Sequence, residues 1–306
     1  MTSAPMTSAP TSSAAHRLML VHAHPDDETL ITGGTIAAAR DAGIEVLVVT
    51  CTLGEEGEII GDEIAGLAAQ HADQLGGYRY WELQRALSAL EAPESRGRVR
   101  GVLLGGAGRW RDSGMAGTDG SRNPRAFINA PLVDTASELA ALIQDFRPHV
   151  LTTYDPNGTY GHPDHIRVHE VTHRAVELAA GAPSGWNVPR LFWSVIGHGA
   201  FEEQAARLTG VPEGWLHDPA SGLGLFPDEK ITTRIDVRAQ RDRKAAALRC
   251  HATQIMIDLP NRAFALSNRV AQPIMDEEHF VLARAAGHPV PDERVAHDLF
   301  AGLGTT

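Results

Sequence analysis

Two stretches of the 306-residue chain concentrate metal-competent and acid–base side chains, HAHPDDE at 22–28 and HPDH at 162–165. A catalytic metal site needs three protein ligands and one open position, with a carboxylate nearby that is not spent on the ion. His24 and Asp27 stand three residues apart across one tight turn, so both can converge on one ion, and His165 can supply the third ligand. Asp26 is then left beside the metal, free to take a proton from water. Tyr160 and His162 lie on the second loop, where they can hydrogen-bond a tetrahedral oxyanion or protonate a leaving amine, and Asp164 can orient an imidazole. The same Pro-Asp pairs are also ordinary helix-start chemistry, because Pro suits the first helical position and acidic residues complement a helix N-terminus. Two such turns, each carrying histidine, favour the chemical reading.

The elements around these stretches explain how they could meet. RLMLVHA (17–23) and HVLTTYD (149–155) are short apolar runs rich in strand formers, and each leads into one of the two turns. Helices are expected over 26–43, 69–91, 132–146 and 162–181, and further strands over 45–52, 99–106 and 190–196. Apolar strands alternating with helices describe an α/β fold, a Rossmann-like, mostly parallel sheet with helices on both faces. In such sheets ligands bind outside the carboxyl ends of the strands, where both turns lie. Beyond residue 185 the pattern loosens into a strand over 231–237 and a helix over 238–253. The expected organisation is a disordered tail over 1–15, a catalytic domain over 16–185 and a smaller C-terminal α+β lobe over 186–306.

A third stretch, HEVTH at 169–173, matches H-E-x-x-H, the helical zinc motif of many metallopeptidases. Here it falls one and two turns into the helix that His165 begins, away from any strand end. At about 100° per residue, Val168, Val171, Ala175, Leu178 and Ala179 share one face, and His169 and His173 fall roughly opposite, toward solvent. The match is read as accidental.

Composition limits the function classes. Charged residues make up 21% and hydrophobic residues 43%, ordinary for a soluble globular protein, and the net charge of −11 argues against a nucleic-acid partner. No apolar stretch approaches the ~18 residues that span a bilayer, so no membrane partner is expected. The tail repeats MTSAP and lacks the basic and apolar regions of a signal peptide. Cys51 and Cys250 are too few for a disulfide framework or a thiolate zinc site, and each is expected as a small core residue. A cytoplasmic location follows.

AHPDDE followed much later by HPDH resembles the LmbE/PIG-L family of zinc-dependent N-acetylglucosaminyl deacetylases. Further stretches, VTCTLGEEGEIIGD, HADQLGGYR, GGAGRWRDSGMAGTD, FRPHVLTTYDPNGTYGHPDH and HATQI, are similar to its mycothiol-biosynthesis branch. The resemblance runs from about residue 17 onward and is densest before 170. It implies Zn²⁺ on His24, Asp27 and His165, with Fe²⁺ an alternative in a reducing compartment, Asp26 as general base, and His162 as general acid or oxyanion stabiliser. It also implies a small-molecule substrate, an amino-sugar–inositol carrying an acetamide. Among loop residues it favours Glu58 for substrate contact, with Arg79, Asp112 and Met115 lining the pocket. An ordinary ion pair is the alternative for Arg79 and Asp112, and core packing for Met115. GGAGR (105–109) lacks phosphate-loop spacing and reads as a close-approach turn. His251 is read as a structural histidine, while Gln254 can reach the site from the second lobe. The expected activity is removal of acetate from N-acetylglucosaminyl-inositol. The runner-up is amide hydrolysis of mycothiol S-conjugates, which needs a larger acyl pocket than an acetyl group does. A non-enzymatic sugar-binding module with a structural metal is the third reading, and a free Asp26 beside the ion speaks against it.

Overall fold

The computed structural model describes residues 16–91, 99–218, 222–288 and 295–304. The tail expected over 1–15 lies outside them. The apolar runs form strands β1 (Arg17–His22), β2 (Glu45–Thr50), β3 (Arg100–Leu103), β4 (Val150–Tyr154) and β5 (Arg190–Gly197). Helices α1 (Asp27–Asp41), α2 (Leu75–Ala89) and α3 (Leu132–Phe146) connect the first four strands. A kinked turn, α4 (Gly158–Gly161), and the long α5 (Pro163–Gly181) join β4 to β5. Beyond β5 come α6 (His198–Ala205), β6 (Leu225–Phe226), β7 (Thr233–Asp236) and α7 (Arg241–Leu248). Three short strands follow, β8 (Met256–Asp258), β9 (Ala263–Ala265) and β10 (Gln272–Pro273), and then β11 (Glu277–Arg284).

The main sheet runs β3-β2-β1-β4-β5-β11-β7, with β6 also on β5. Every pairing from β3 to β5 is parallel, while β11 is antiparallel to both β5 and β7. The fold is therefore the expected helix-covered, mostly parallel sheet, and β8, β9 and β10 add a small antiparallel one. Residues beyond 185 supply both that small sheet and one edge of the main sheet.

Strand side chains alternate between two cores, as the twofold period requires. Leu18, Leu20, Val46, Val48 and Val150 pack with Ile36 of α1, Leu83 and Leu87 of α2 and Ala247 of α7. Met19, Val21, Leu47, Val49 and Leu151 pack with Leu139 and Ile143 of α3 and Val168 and Val171 of α5. Each such side chain contributes about 1.5–3 kcal/mol by leaving water, and together they lock the strand order. The chain steps outward from β1 to β2 and β3, then returns to place β4 on the other side of β1. That reversal opens a crevice at the carboxyl ends of β1 and β4. Both histidine-bearing turns flank it.

Three expected elements begin or end more than two residues short of their sequence patterns. Helix α2 starts at Leu75 rather than 69, because Asp73 sits at φ 53, a left-handed conformation that no helix continues through. Strand β3 stops at Leu103 where Gly105 and Gly106 turn the chain at φ 71 and 97, the close-approach turn expected of GGAGR. Helix α7 ends at Leu248 instead of 253. Beyond it His251 turns to Glu28 and Thr253 to Glu82, contacts a continuing helix would not allow.

Candidate active site

The turn after β1 sets the first half of the site. Asp26 takes φ 124, a conformation that costs a non-glycine residue about 1–3 kcal/mol. Three hydrogen bonds hold it there. Its backbone N–H donates to Glu28 Oε2 at 2.9 Å, and its carbonyl accepts the first N–H groups of α1, from Thr29 at 3.0 Å and Leu30 at 2.9 Å. Glu28 is itself fixed by the buried His251, whose Nε2 lies 2.9 Å from Glu28 Oε1. His251 is thus structural, and the C-terminal region reaches the site through Glu28.

Strain turns the Asp26 carboxylate toward Arg79, whose Nη2 donates to Asp26 Oδ2 at 2.9 Å. Arg79 is 3% exposed and also donates to the carbonyls of Pro25 at 2.6 Å and Gly54 at 2.8 Å. Gly54 is required for this passage, since a Cβ there would lie 2.1 Å from Arg79 Nη1 and its φ is +66. Burial raises the Asp26 carboxyl against the pull of Arg79, and the neighbouring Asp27 adds to the rise, bringing it to about 6.

Asp27 has the opposite electrostatics. Its Oδ2 accepts the Tyr154 phenol at 2.7 Å and the His24 N–H at 2.9 Å, and lies 3.4 Å from His24 Nδ1 and 3.5 Å from His165 Nε2. Burial works against its charge, but the two imidazoles outweigh it and hold the carboxyl well below its usual range. Tyr154 also accepts from the Ala23 N–H at 2.8 Å, and its ring stacks on His165 at 4.2 Å. Sequence reasoning missed Tyr154, whose only signal was its place as the last residue of an apolar strand.

The turn after β4 brings the second half. His162 caps α5, its Nδ1 accepting the Asp164 N–H at 3.1 Å. That fixes the tautomer, so Nε2 carries the proton. Burial, reinforced by His24 and His165, lowers the His162 imidazole to about 3, so the ring is neutral near pH 7. Asp164 accepts the Ser113 hydroxyl at 2.5 Å and the Ser113 N–H at 2.9 Å, and its Oδ2 lies 3.3 Å from His24 Nε2. Asp112 Oδ1 approaches the same nitrogen at 3.4 Å. With two carboxylates on Nε2, His24 turns Nδ1 toward Asp27. Ser113, the anchor of Asp164, was also missed; RDSGM carried no sign of it.

Two groups of these side chains are spaced to hold a cation, each with its ligand atoms within 4.8 Å of one another: His24, His162 and His165, and His24, Asp112 and Asp164. His165 Nε2 is buried with no hydrogen-bond partner. An orphaned imidazole nitrogen beside a low-pKa carboxylate fits a metal ligand, whose lone pair the ion would take up.

A polar cavity of about 740 Å³ opens over this cluster. His24, Asp26, Asp27, His162 and Tyr160 line it together with Glu58, Arg79, Asp112, Met115 and Gln254. The expected substrate residues therefore do gather at one place, but their roles differ. Tyr160 and Met115 are 47% and 49% exposed and Glu58 is also exposed, so all three stand on the rim. Arg79 directs its polar contacts at protein groups, the ion-pair alternative. Asp112 faces His24 and accepts the backbone N–H groups of Glu56 at 3.1 Å and Gly114 at 2.8 Å.

HEVTH lies elsewhere on α5, and the expectation that it faces solvent is corrected. His169 Nδ1 is 2.9 Å from the Tyr154 carbonyl, and His173 Nε2 accepts the Trp193 indole N–H at 3.0 Å. Both are half-buried against Trp193, because β5 packs beside this flank of the helix. Neither belongs to a cation-spaced group among the described residues. Cys51 is buried and Cys250 half-buried, both unpaired.

Comparison with known proteins supplies the kinship. The family model for PIG-L, described as GlcNAc-PI de-N-acetylase, matches residues 19–176, both turns included. The chain belongs to the PIG-L family. Among PIG-L relatives, a 1D-myo-inositol 2-acetamido-2-deoxy-alpha-D-glucopyranoside deacetylase of Nocardia farcinica is 51% identical over 301 residues, covering 95% of this chain and 98% of the relative. One of the same description from Mycobacteroides abscessus is 53% identical over 287 residues, covering 94% and 98%. The PIG-L fold is also seen in solved structures. An N,N'-diacetylchitobiose deacetylase from Pyrococcus horikoshii superposes with TM-score 0.51 at 17% identity, over 78% of this chain and 70% of the other. A 4-carboxy-2-hydroxymuconate hydratase from Pseudomonas putida does so with TM-score 0.54 at 18% identity, over 92% and 100%. A deacetylase and a hydratase on one fold show that the fold alone does not choose the reaction.

Proposed function

We propose that the protein is a metal-dependent N-deacetylase that hydrolyses the acetamide of N-acetylglucosaminyl-inositol, yielding acetate and the free amine, a step of mycothiol biosynthesis. The observation that carries the reaction type is Asp26, a carboxylate that lies outside both cation-spaced groups yet lines the same cavity as His24, Asp112 and His162. The substrate assignment rests on relatives of that description at about half identity along nearly the whole chain.

His24, Asp27 and His165 are the residues that would hold the ion, zinc in this reading with ferrous iron as the alternative. Asp27 is preferred over His162 as third ligand because its carboxylate stands between the other two and stays ionised. When bound there, the metal supplies Lewis acidity toward water and the amide carbonyl. The protein's own groups do the rest. Asp26 accepts the proton of the attacking water. Arg79 fixes the carboxylate through Oδ2. His162, neutral with its proton on Nε2, donates a hydrogen bond to the developing oxyanion, and Tyr160 on the rim can add a second. Asp26 then returns its proton to the departing nitrogen. Asp164 and Asp112 orient His24, while Glu58 and Met115 meet the sugar–inositol at the rim.

The test is release of primary amine and acetate from N-acetylglucosaminyl-inositol by purified protein supplied with Zn²⁺ or Fe²⁺. Absence of both products with either ion ends the reading. A preference for a mycothiol S-conjugate, measured by competition in one vessel, would keep the metal site and change the substrate.

A further inference from the structure

A second cavity, of about 240 Å³, adjoins the polar one, and the two share Asp27, Leu30, Tyr160 and Leu266. His165 lines the second cavity alone. Its walls are mainly apolar, with Ile31, Val195, Phe201, Phe264 and Ile274 among them. The cavity follows α1 away from the reactive centre. Leu30 and Ile31 stand on the first turn. At Gly34 and Thr35, roughly 10–12 Å along the helix axis from Asp27, Glu278 takes up both backbone N–H groups at 2.8 and 2.7 Å. Lys244 pairs with the same carboxylate at 2.6 Å, and both residues line the cavity. The lysine is matched, so it offers no spare charge to an anion.

An amide has two ends, and the site has two cavities. The sugar and inositol hydroxyls suit the cavity lined by Glu56, Glu58, Asp112 and Asn123. The acyl group lies across the scissile bond from the nitrogen, so a substrate whose sugar fills that cavity can direct its chain at Asp27 and Tyr160, which line both cavities. An acetyl methyl needs little room there. An apolar cavity of about 150 Å³ already accepts benzene, so about 240 Å³ has room for a short acyl chain. We propose that this cavity is an acyl chamber, and that the enzyme also hydrolyses glucosaminyl-inositol amides carrying unbranched apolar acyl chains from butanoyl to hexanoyl. The proposal rests on the deacetylase reading. The step balances as it does for acetate: the C–N bond breaks, the water oxygen joins the acyl carbon, Asp26 carries the proton to nitrogen, and the chain leaves as its carboxylate. No other reactant enters.

The experiment compares kcat/KM for the acetyl, butanoyl, hexanoyl and succinyl amides of glucosaminyl-inositol by release of free amine. Burial of each added methylene is worth up to about fourfold, so the hexanoyl amide should equal or exceed the acetyl amide, and the carboxylate-ended succinyl amide should be poor. Val195→Phe and Met275→Trp each fill the chamber from residues that line only this cavity. Each should lower the hexanoyl-to-acetyl ratio at least tenfold while acetyl turnover persists. A hexanoyl amide more than tenfold worse than acetyl in the unaltered enzyme overturns the chamber and leaves the deacetylase reading intact. So does a ratio unmoved in a folded, acetyl-active variant, and efficient succinyl turnover overturns the apolar assignment. Amine release from none of the four amides overturns the parent reading, and this one with it.

Discussion

Helix α5 carries two histidine clusters within twelve residues, and they behave differently. Its first turn, with His162, Asp164 and His165, closes the crevice between β1 and β4 and meets the HAHPDDE turn. Its middle, with His169 and His173, packs on Trp193 and the backbone of β4. Only the middle matches a named zinc motif, yet only the first turn joins a cluster that can hold an ion. Imidazoles are spaced to hold an ion where separate loops bring carboxylates to them. On a helix flank beside a strand they become hydrogen-bonded packing.

That contrast can be broken at its strong end first. Chelation of the metal should abolish turnover and added Zn²⁺ or Fe²⁺ restore it, and His165→Ala should lose both bound metal and activity. Full activity in protein found metal-free by elemental analysis would erase the distinction between the clusters. Next in size is Asp26→Asn, which separates holding an ion from using it. The variant should keep its metal while turnover falls about 10²–10⁴-fold, the usual contribution of a general base. Near-normal kinetics would show that the proton goes elsewhere.

The weak end of the comparison predicts smaller effects of another kind. The His169→Ala, His173→Ala double variant should keep metal and turnover, yet lose about 0.5–1.5 kcal/mol of stability because the half-buried Trp193 indole N–H loses its histidine acceptor. Loss of metal from a variant that is folded by circular dichroism would revive the motif as a site. The smallest effect concerns pH. Burial, with His169 nearby, lowers the His173 imidazole from its usual 6.5 to about 4. Between those values the unfolded chain binds the proton that the folded chain refuses, so stability is full above 6.5 and declines as pH falls toward 4. His173→Asn should flatten that part of the curve of denaturation midpoint against pH, and an unaltered slope would mean that other groups carry it.

Much of this was legible because it depends on local pattern. Val46 to Val49 is a short β-branched run that reads as a buried strand, and a Pro-Asp turn beyond β1 and β4 places His24 and His162 at the carboxyl edge of the sheet. What sequence could not disclose are partners made by chain crossing. Arg79 matched a substrate position by its neighbours in GYR, but the turn at Asp26 draws its guanidinium inward. His251 looked structural without a partner, and its partner Glu28 is 223 residues away. His169 and His173 were assigned to solvent because periodicity describes a helix alone, and Trp193 arrives from β5, which the period of α5 does not encode.

Strand β11, the last among the described residues, lies between β5 and β7 in the sheet. During synthesis the parallel strands β1 to β5 can pair once Gly197 has emerged, whereas β7 has no neighbour to join until residues 277–284 follow. The sheet thus grows at one edge out of chain order, and β5 offers its unpaired backbone to other chains meanwhile. Pulse-labelled hydrogen exchange should show β1, β2 and β4 protected before β7. Simultaneous protection would mean that the whole sheet condenses in one event.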